Sequence, residues 1–423
     1  MKDITISEYG YIGCDNISTQ NNKFVGVRDL SAEEFQELYD FWHEDKNTQK
    51  VLTFENKECL KATSYVGVIQ TENLSIEILP KIYNGENEKK YRHIFMEMLK
   101  PLLGINEIEI HRANLDTTKN KNIYELFITL FIDYVDKLIH KGLKSEYISQ
   151  EGNQAFLKGK LKFNEHIRYN TIHKERFYVE YDEYVQDRVE NRLLKSTLQF
   201  LLKKSNNVEN KRALRQQLFI FDEVNFSHNH RVDFTKVNTH RGMEYYTMPI
   251  RFAKVFLLHE SFSSLRGTHD IFALLFPMQT VFEKYMEFVL ENSKESLGIK
   301  KVHINGRENE YLLVCNMARL QPDYLLEMNN GKDIICDAKW KLLDHQEDET
   351  KECQKVNISS SDVYQIFAYH HFYEARDTAY VFVPAIDGVN RTVLKYNKSA
   401  KKIEVIPVEI DSLVKNGHSY LDL

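Results

Sequence analysis

The chain has 423 residues, of which 42% are hydrophobic and 12% aromatic, and it carries a formal net charge of −6 at pH 7. That length and apolar content support two or three cores at ~150 residues per domain and exclude extended disorder. Cys14, Cys59, Cys315, Cys336 and Cys353 include no Cys-x-x-Cys pair, which argues against zinc or a disulfide framework and for reduced thiols in the cytoplasm.

Residues 1–110 mix short strands with helices. Ser31-Ala32-Glu33-Glu34 is a capping box: serine and glutamate each satisfy a backbone N–H at the start of a helix, and Phe35, Leu38, Tyr39 and Trp42 give that helix an apolar stripe. Residues 62–70 and 74–82 alternate as strands, with Glu72 and Asn73 in the turn between them. Residues 111–262 are mainly helical. A helix over 122–141 stops at Gly142; Glu125, Asp133, Asp136 and Lys137 make it a buried helix of a soluble domain. Neither this stretch nor Met1-Lys2-Asp3-Ile4-Thr5 provides a membrane span or a signal core. Strands intrude between Ile148 and Tyr181, and residues 187–204 and 242–262 return to helix. Small polar residues over 263–268 mark the start of a third segment, 263–423. The expected fold is therefore multidomain α+β: a small mixed α/β domain, a largely helical middle region and a carboxy-terminal α/β domain.

The third segment holds the chemistry. Residues 323–328 alternate polar with apolar, Asn329-Asn330-Gly331 supplies turn chemistry, and residues 333–340 alternate again, which is a β-hairpin pattern. A three-residue loop with Gly331 left-handed sets Met328 opposite Lys332 and Asp323 opposite Asp337. It also pairs Tyr324 with Cys336 and Leu326 with Ile334 on one face, and Leu325 with Ile335 on the face of the acids. A two-residue loop slips the pairing by one and sets Tyr324 against Asp337, so the longer loop is preferred. It places Glu327 opposite Asp333, an unfavourable like-charge pair.

In that register Asp337 and Lys339, two apart on a strand, share a face with Asp323. Two convergent carboxylates raise each other's pKa unless a cation intervenes. Mg²⁺, with Mn²⁺ as substitute, suits Asp323, Asp337 and the Ala338 carbonyl as the protein share of a shell that otherwise keeps water. Such an ion activates water and neutralises charge on a phosphate, and Lys339 can orient or help deprotonate that water. Glu283 lies on a helix whose Val281, Phe282, Tyr285, Met286, Val289 and Leu290 recur at helical spacing; it either completes the shell or is a solvated helix acid. Ser361 or Asp362 caps a later helix that aligns Gln365 and Tyr369 at i and i+4. Tyr369 either packs beneath the site or touches the nucleic acid. A strand over 378–383 follows. The carboxy-terminal order is helix, hairpin, helix, strand, with the acids on the central hairpin.

Pro322-Asp323 with Asp337-Ala338-Lys339 resembles the PD-(D/E)xK nuclease signature, and Gln365-x-x-x-Tyr369 resembles the extra motif of its RecB-like branch. With Phe282-Glu283 and Asp362-Val363-Tyr364-Gln365, the set is similar to the McrC family, nuclease subunits of McrBC modified-cytosine restriction systems. Glu8-Tyr9-Gly10, Ile76-Glu77-Ile78-Leu79-Pro80-Lys81, Lys158-Gly159-Lys160 and Asn191-Arg192-Leu193-Leu194-Lys195 extend the resemblance along the chain. The resemblance implies a catalytic group of Asp323, Asp337, Lys339, Glu283, Gln365 and Tyr369, with Asp323, Asp337, Ala338 and Glu283 at the metal. It also implies an McrB-like AAA+ GTPase hexamer as partner, engaged by residues 1–110, which reads the modified double-stranded DNA and binds the GTP. A double-strand break needs two cutting centres, hence a second copy at some stage.

This chain's nearest approach to a phosphate loop, Gly152 to Leu161, has six residues between its glycines instead of four, and Leu161 where Mg²⁺ binding needs Ser or Thr. The net charge of −6 argues against strong intrinsic DNA affinity, and Arg188, Arg192, Lys195, Lys203 and Lys204 do not share one helix face, so a solvated surface is their simplest reading. His228, His230, His370 and His371 lack ligand spacing for zinc. Two other functions compete: a self-sufficient RecB-like repair nuclease, and a non-cutting scaffold that only activates a GTPase.

Overall fold

The computed structural model describes residues 2–14, 28–44, 48–71, 73–83, 87–104, 122–238, 242–258, 272–307, 310–311, 319–342, 358–373, 377–385 and 391–410. Its contacts divide the chain into two units, residues 1–120 with 267–423, and residues 121–266. The segments expected as separate domains over 1–110 and 263–423 thus lie in one unit. The boundary read at 263–268, the helix end at 259–262, Cys315 and Cys353 fall outside the described residues.

The first unit begins with β1 (Lys2–Ser7), β2 (Tyr11–Cys14) and β3 (Arg28–Leu30), then the helix Ala32–Glu44. The expected capping box opens that helix: Ser31 N–H donates to Glu34 Oε2 at 2.9 Å, and Glu34 N–H to Ser31 Oγ at 3.3 Å. Leu38 is fully buried, and the Trp42 indole donates to the Leu52 carbonyl. Next come β4 (Leu52–Asn56), β5 (Cys59–Ala62), β6 (Tyr65–Gln70), β7 (Leu74–Leu79) and the helix Glu88–Leu103. One four-stranded sheet runs β3-β2-β5-β4. β1, β7 and β6 belong to another, in which β7 is buried on both faces although its sequence alternates, its buried Glu77 being paired with Arg92 at 2.5 Å.

The second unit is mainly helical and carries a largely exposed three-stranded sheet of β8 (Glu146–Gln154), β9 (Lys160–Leu161) and β10 (Phe177–Val185), in the order β8-β10-β9. Its core gathers Tyr124, Phe127 and Phe131 of the helix Ile123–Lys141 with Phe252 and Phe256 of the helix Thr247–Leu258. Gly142, at φ 90°, follows the first of these helices, as expected. Glu125 is buried there and accepts hydrogen bonds from Ser205 Oγ, Asn206 N–H and Asn210 Nδ2. The basic group near the helix Val189–Lys204 is not a uniformly solvated face. Arg192 pairs with Asp187 at 2.7 Å, and the buried Lys195 donates to the Asp222 and Val224 carbonyls. Among the described residues, no helix is long and apolar enough to cross a membrane.

The chain then re-enters the first unit. β11 (Phe272–Pro277) pairs antiparallel with β6, completing the sheet β1-β7-β6-β11. Gly67 permits this approach, since a Cβ there would lie 1.9 Å from the Leu274 carbonyl oxygen. After the helix Met278–Asn292 follow β12 (Ile299–Ile304), β13 (Tyr324–Met328), β14 (Ile334–Ala338), the helix Ser360–Phe372, β15 (Thr378–Pro384), β16 (Thr392–Lys395) and β17 (Lys402–Val408). They form a six-stranded mixed sheet, β12-β13-β14-β15-β17-β16, with the hairpin β13-β14 inside it. β14 and β15 are parallel, joined across the helix Ser360–Phe372. That helix sets Ile366 and Tyr369 into a core with Leu325, Ile335 and Val381.

Candidate active site

The hairpin register matches the expected one. Tyr324 pairs with Cys336, Leu325 with Ile335 and Leu326 with Ile334, and Gly331 sits at φ 81° with its N–H donating to the Met328 carbonyl at 3.0 Å. The like-charge pair near the tip is relieved by separate partners. Glu327 pairs with the Lys300 ammonium at 2.5 Å and lies 3.2 Å from a His303 ring nitrogen, and Asp333 pairs with Arg307 at 2.8 Å.

At the far end of the hairpin, Asp323 Oδ2 accepts the Ala338 N–H at 2.8 Å, so its side chain continues the ladder where β13 stops. Asp337 is 1% exposed, and its Oδ2 lies 2.7 Å from Lys339 Nζ. Its Oδ1 is buried without a hydrogen-bond partner. The carboxyls of Asp323 and Asp337 are within hydrogen-bonding reach of each other. Burial and then the charge of Asp323 push Asp337 up to about 7, against the pull of Lys339. Burial raises Asp323 too, opposed by the Ala338 N–H and by Lys339. Lys339 is disfavoured as a cation by burial, but Asp337 and Asp323 outweigh that and hold it above its usual value. The three side chains therefore converge.

Glu283 approaches differently. Tyr324, on the opposite face of the hairpin from the acids, donates through its hydroxyl to the Glu283 carbonyl, which places the helix Met278–Asn292 on that opposite face. Gln279, one turn before Glu283, bridges to the strand: Nε2 donates to Glu283 Oε1 and to the Ala338 carbonyl, both at 2.7 Å, while Oε1 accepts the Trp340 N–H at 2.9 Å. Glu283 thus reaches Ala338 through Gln279. Among the described residues no group of three His, Cys, Asp or Glu side chains stands ready for a metal. The sequence reading missed Gln279. Its only local signal is the i, i+4 spacing to Glu283.

Behind the acids, Tyr369 hydroxyl accepts from Gln365 Nε2 at 2.7 Å and donates to the Gln321 carbonyl at 3.0 Å. Tyr369 is buried and packs beneath the approach to Asp323; Gln365 is exposed. The helix carrying both is capped by Ser359, not by Ser361 or Asp362. Asp362 is the third helical residue, completing a capping box and accepting from Lys341. Ser359 precedes the helix by one residue in extended conformation, which is the geometry a cap needs.

Trp340 closes the site on its other flank. Its indole N–H donates to Glu8 Oε2 at 2.9 Å, its carbonyl accepts from Lys81 Nζ, and its ring lies 5.3 Å from that of Phe282. Burial pushes Glu8 up to about 7, against hydrogen bonds from Lys81 and Trp340. Burial lowers Lys81 to about 8.

The donor set fits a hard divalent cation. Two adjacent carboxylates, one with an orphaned buried oxygen, offer oxygen ligands and a charge deficit that a cation would relieve.

The chain matches the family described as McrBC 5-methylcytosine restriction system component over residues 60–383, most of its length. It belongs to that McrBC family. The motif resemblance and the match agree. Among solved structures, a chain of the refined half-complex from the tetradecameric assembly of Thermococcus gammatolerans McrB AAA+ hexamers with bound McrC is similar at a TM-score of 0.71 and 20% identity, covering 98% of this chain and 99% of that one. A chain of the cryo-EM structure of the Thermococcus gammatolerans McrBC complex is similar at a TM-score of 0.52 and 23% identity, covering 69% of this McrBC-family chain and 88% of that one. At these identities the likeness shows the fold alone. No curated protein matches.

Proposed function

We propose that this McrBC-family chain is the DNA-cutting subunit of a GTP-dependent restriction system. In this reading it is an Mg²⁺-dependent endonuclease of the PD-(D/E)xK type that acts in the cytoplasm, cuts methylated double-stranded DNA when bound to an McrB-like AAA+ GTPase hexamer, and stimulates GTP hydrolysis there. The observation that carries it is the convergence of Asp323, Asp337 and Lys339 at the open end of one hairpin, with an Asp337 oxygen lacking any donor.

Asp323, Asp337 and the Ala338 carbonyl would hold Mg²⁺ or Mn²⁺, which when bound supplies an activated water and charge neutralisation at the phosphate. Asp337 holds the Lys339 ammonium at 2.7 Å, aimed at the same point. There Lys339 donates a hydrogen bond to the attacking water or to a phosphate oxygen as negative charge accumulates. Asp323 fixes Ala338 through its N–H, which keeps the carbonyl of the same residue in place. Gln279 holds that carbonyl together with Glu283.

The partner assignment is supported by family membership and by the fold shared with chains of McrB and McrC assemblies. Gly152 lies inside β8, paired with Val179, which is not the strand-to-helix turn of a phosphate loop. In this reading GTP belongs to the partner.

The test is cleavage of methylated and unmethylated DNA with Mg²⁺, with and without the GTPase encoded beside this chain. Asp337→Ala should remove cleavage and leave GTPase stimulation intact. Lys339→Ala should slow cutting by ~10²–10³-fold. Cutting of either DNA with Mg²⁺ alone would replace this reading by a self-sufficient repair nuclease, and GTPase stimulation by a wild-type chain that never cuts would replace it by a scaffold.

A further inference from the structure

β13 stops at Tyr324, so residues 338–340 lack a backbone partner on that side of β14. On the other side Lys339 N–H donates to the Phe382 carbonyl at 2.9 Å. Side chains take the place of the missing strand. Asp323 holds the Ala338 N–H, and Gln279 holds the Ala338 carbonyl and the Trp340 N–H. Two further groups come from the amino-terminal sheet. Glu8, just after β1, accepts the Trp340 indole N–H at 2.9 and 3.2 Å, and Lys81, just after β7, caps the Trp340 carbonyl and lies over the indole ring at 5.5 Å.

Glu8 is 3% exposed, and Lys81 N–H fills one of its oxygens at 2.7 Å. Its own N–H is tied to the Leu79 carbonyl at 2.9 Å. A carboxylate at so buried a position is unfavourable unless its lone pairs are filled, and here the donors that fill them have fixed directions. An apolar side chain would pack against Trp340 but would not dictate where its indole N–H points. The sheet that anchors Glu8 is therefore joined to the residue that follows Lys339.

Resting on the cutting centre proposed above, we infer that Glu8, with Lys81, is a positioning residue of that centre. Through Trp340 it fixes the end of the strand that carries Asp337, Ala338 and Lys339, so the amino-terminal sheet is a working part of the site.

The test uses the full chain. Mn²⁺ binding is measured by calorimetry without DNA, and the Mg²⁺ dependence of cleavage is measured with the GTPase partner present, for wild type, Glu8→Leu, Glu8→Gln and Trp340→Phe. Glu8→Leu should weaken Mn²⁺ binding and raise the half-saturating Mg²⁺ concentration by ~10-fold, the lower end of what outer-shell residues contribute. The rate at saturating Mg²⁺ should stay near that of wild type. Glu8→Gln, whose amide oxygen still accepts from the indole and from Lys81 N–H, should restore affinity to within about threefold. Trp340→Phe keeps a ring against Phe282 but loses the indole N–H, and should reproduce the loss even where Glu8→Leu does not fold. Folded Glu8→Leu or Trp340→Phe chains with wild-type Mn²⁺ affinity would overturn the inference alone. A wild-type chain that binds no Mn²⁺ and cuts nothing would overturn the cutting centre itself, and this inference with it.

Discussion

Asp337 shows how one residue's environment sets a measurable property of the whole chain. Burial and the neighbouring Asp323 push it up to about 7, whereas an aspartate in the unfolded chain titrates near ~3.9. Between those two values the folded chain binds more protons than the unfolded one. The stability this group contributes is thus complete at low pH and is lost as pH rises through about 7. Asp337→Asn keeps the shape but removes the titration, and Glu8, which is raised in the same sense, cancels in the comparison. Measured by calorimetry in EDTA, wild type should lose stability relative to Asp337→Asn between pH 5 and pH 8. Mg²⁺ or Mn²⁺ replaces the missing proton, so adding it should restore wild type at pH 8 and do little at pH 5 or for the variant. A difference between the two proteins that does not change with pH would show that Asp337 is not held in a proton-retaining pocket. Asp323, Asp337 and Lys339 were legible because their convergence depends only on strand parity and one turn. Gln279 was not, because its bonds reach Ala338 and Trp340 from a helix distant in sequence, and no local pattern encodes that approach.

The hairpin carries the site only in one register. Gly331 adopts φ 81°, with nothing within 4 Å of where a Cβ would lie, so Gly331→Ala meets no clash and pays only for the left-handed backbone, ~1 kcal/mol. Deleting Lys332 is a different change. It leaves the three-residue loop, pairs Met328 with Asp333, and so slips the pairing by one and moves Asp337 opposite Tyr324. Denaturant unfolding should therefore show a loss of ~1 kcal/mol for Gly331→Ala with Mn²⁺ uptake intact, whereas the deletion should abolish uptake even in chains that fold. Equal uptake by both would mean that the register does not set the site. This register was readable in advance because it pairs Tyr324, Leu325 and Leu326 with Cys336, Ile335 and Ile334, whereas a slip by one sets Tyr324 against Asp337. The helix start was harder. Ser359, Ser361 and Asp362 are all capping residue types within four positions, and only the extended backbone at Ser359 decides among them.

At the scale of the molecule, composition marks a break near residue 263 and the division into units falls at 266/267, but the segment beyond it shares a unit with residues 1–120. β11 lies beyond that break, yet it fills the edge of the amino-terminal sheet, with Leu274, Leu275 and Phe276 fully buried and the Phe276 ring 5.9 Å from that of Phe95. Pairing between Val68 and Leu274, so far apart in sequence, leaves no trace in local periodicity, so it was illegible where the hairpin was not. Its energetic weight is large. Each fully buried Leu or Phe contributes ~1.5–3 kcal/mol, so these three amount to ~5–9 kcal/mol, comparable to the ~5–15 kcal/mol that holds a domain folded. Loss of the Glu8 and Lys81 contacts to Trp340 would add to that. A fragment of residues 263–423 alone should therefore show no cooperative thermal transition and take up no Mn²⁺. Co-expression with residues 1–120 should restore both, because β6 and Glu8 are then returned to β11 and Trp340. A fragment that melts cooperatively and binds Mn²⁺ unaided would show that the carboxy-terminal sheet holds its own acids in place, and that the amino-terminal sheet only leans against it.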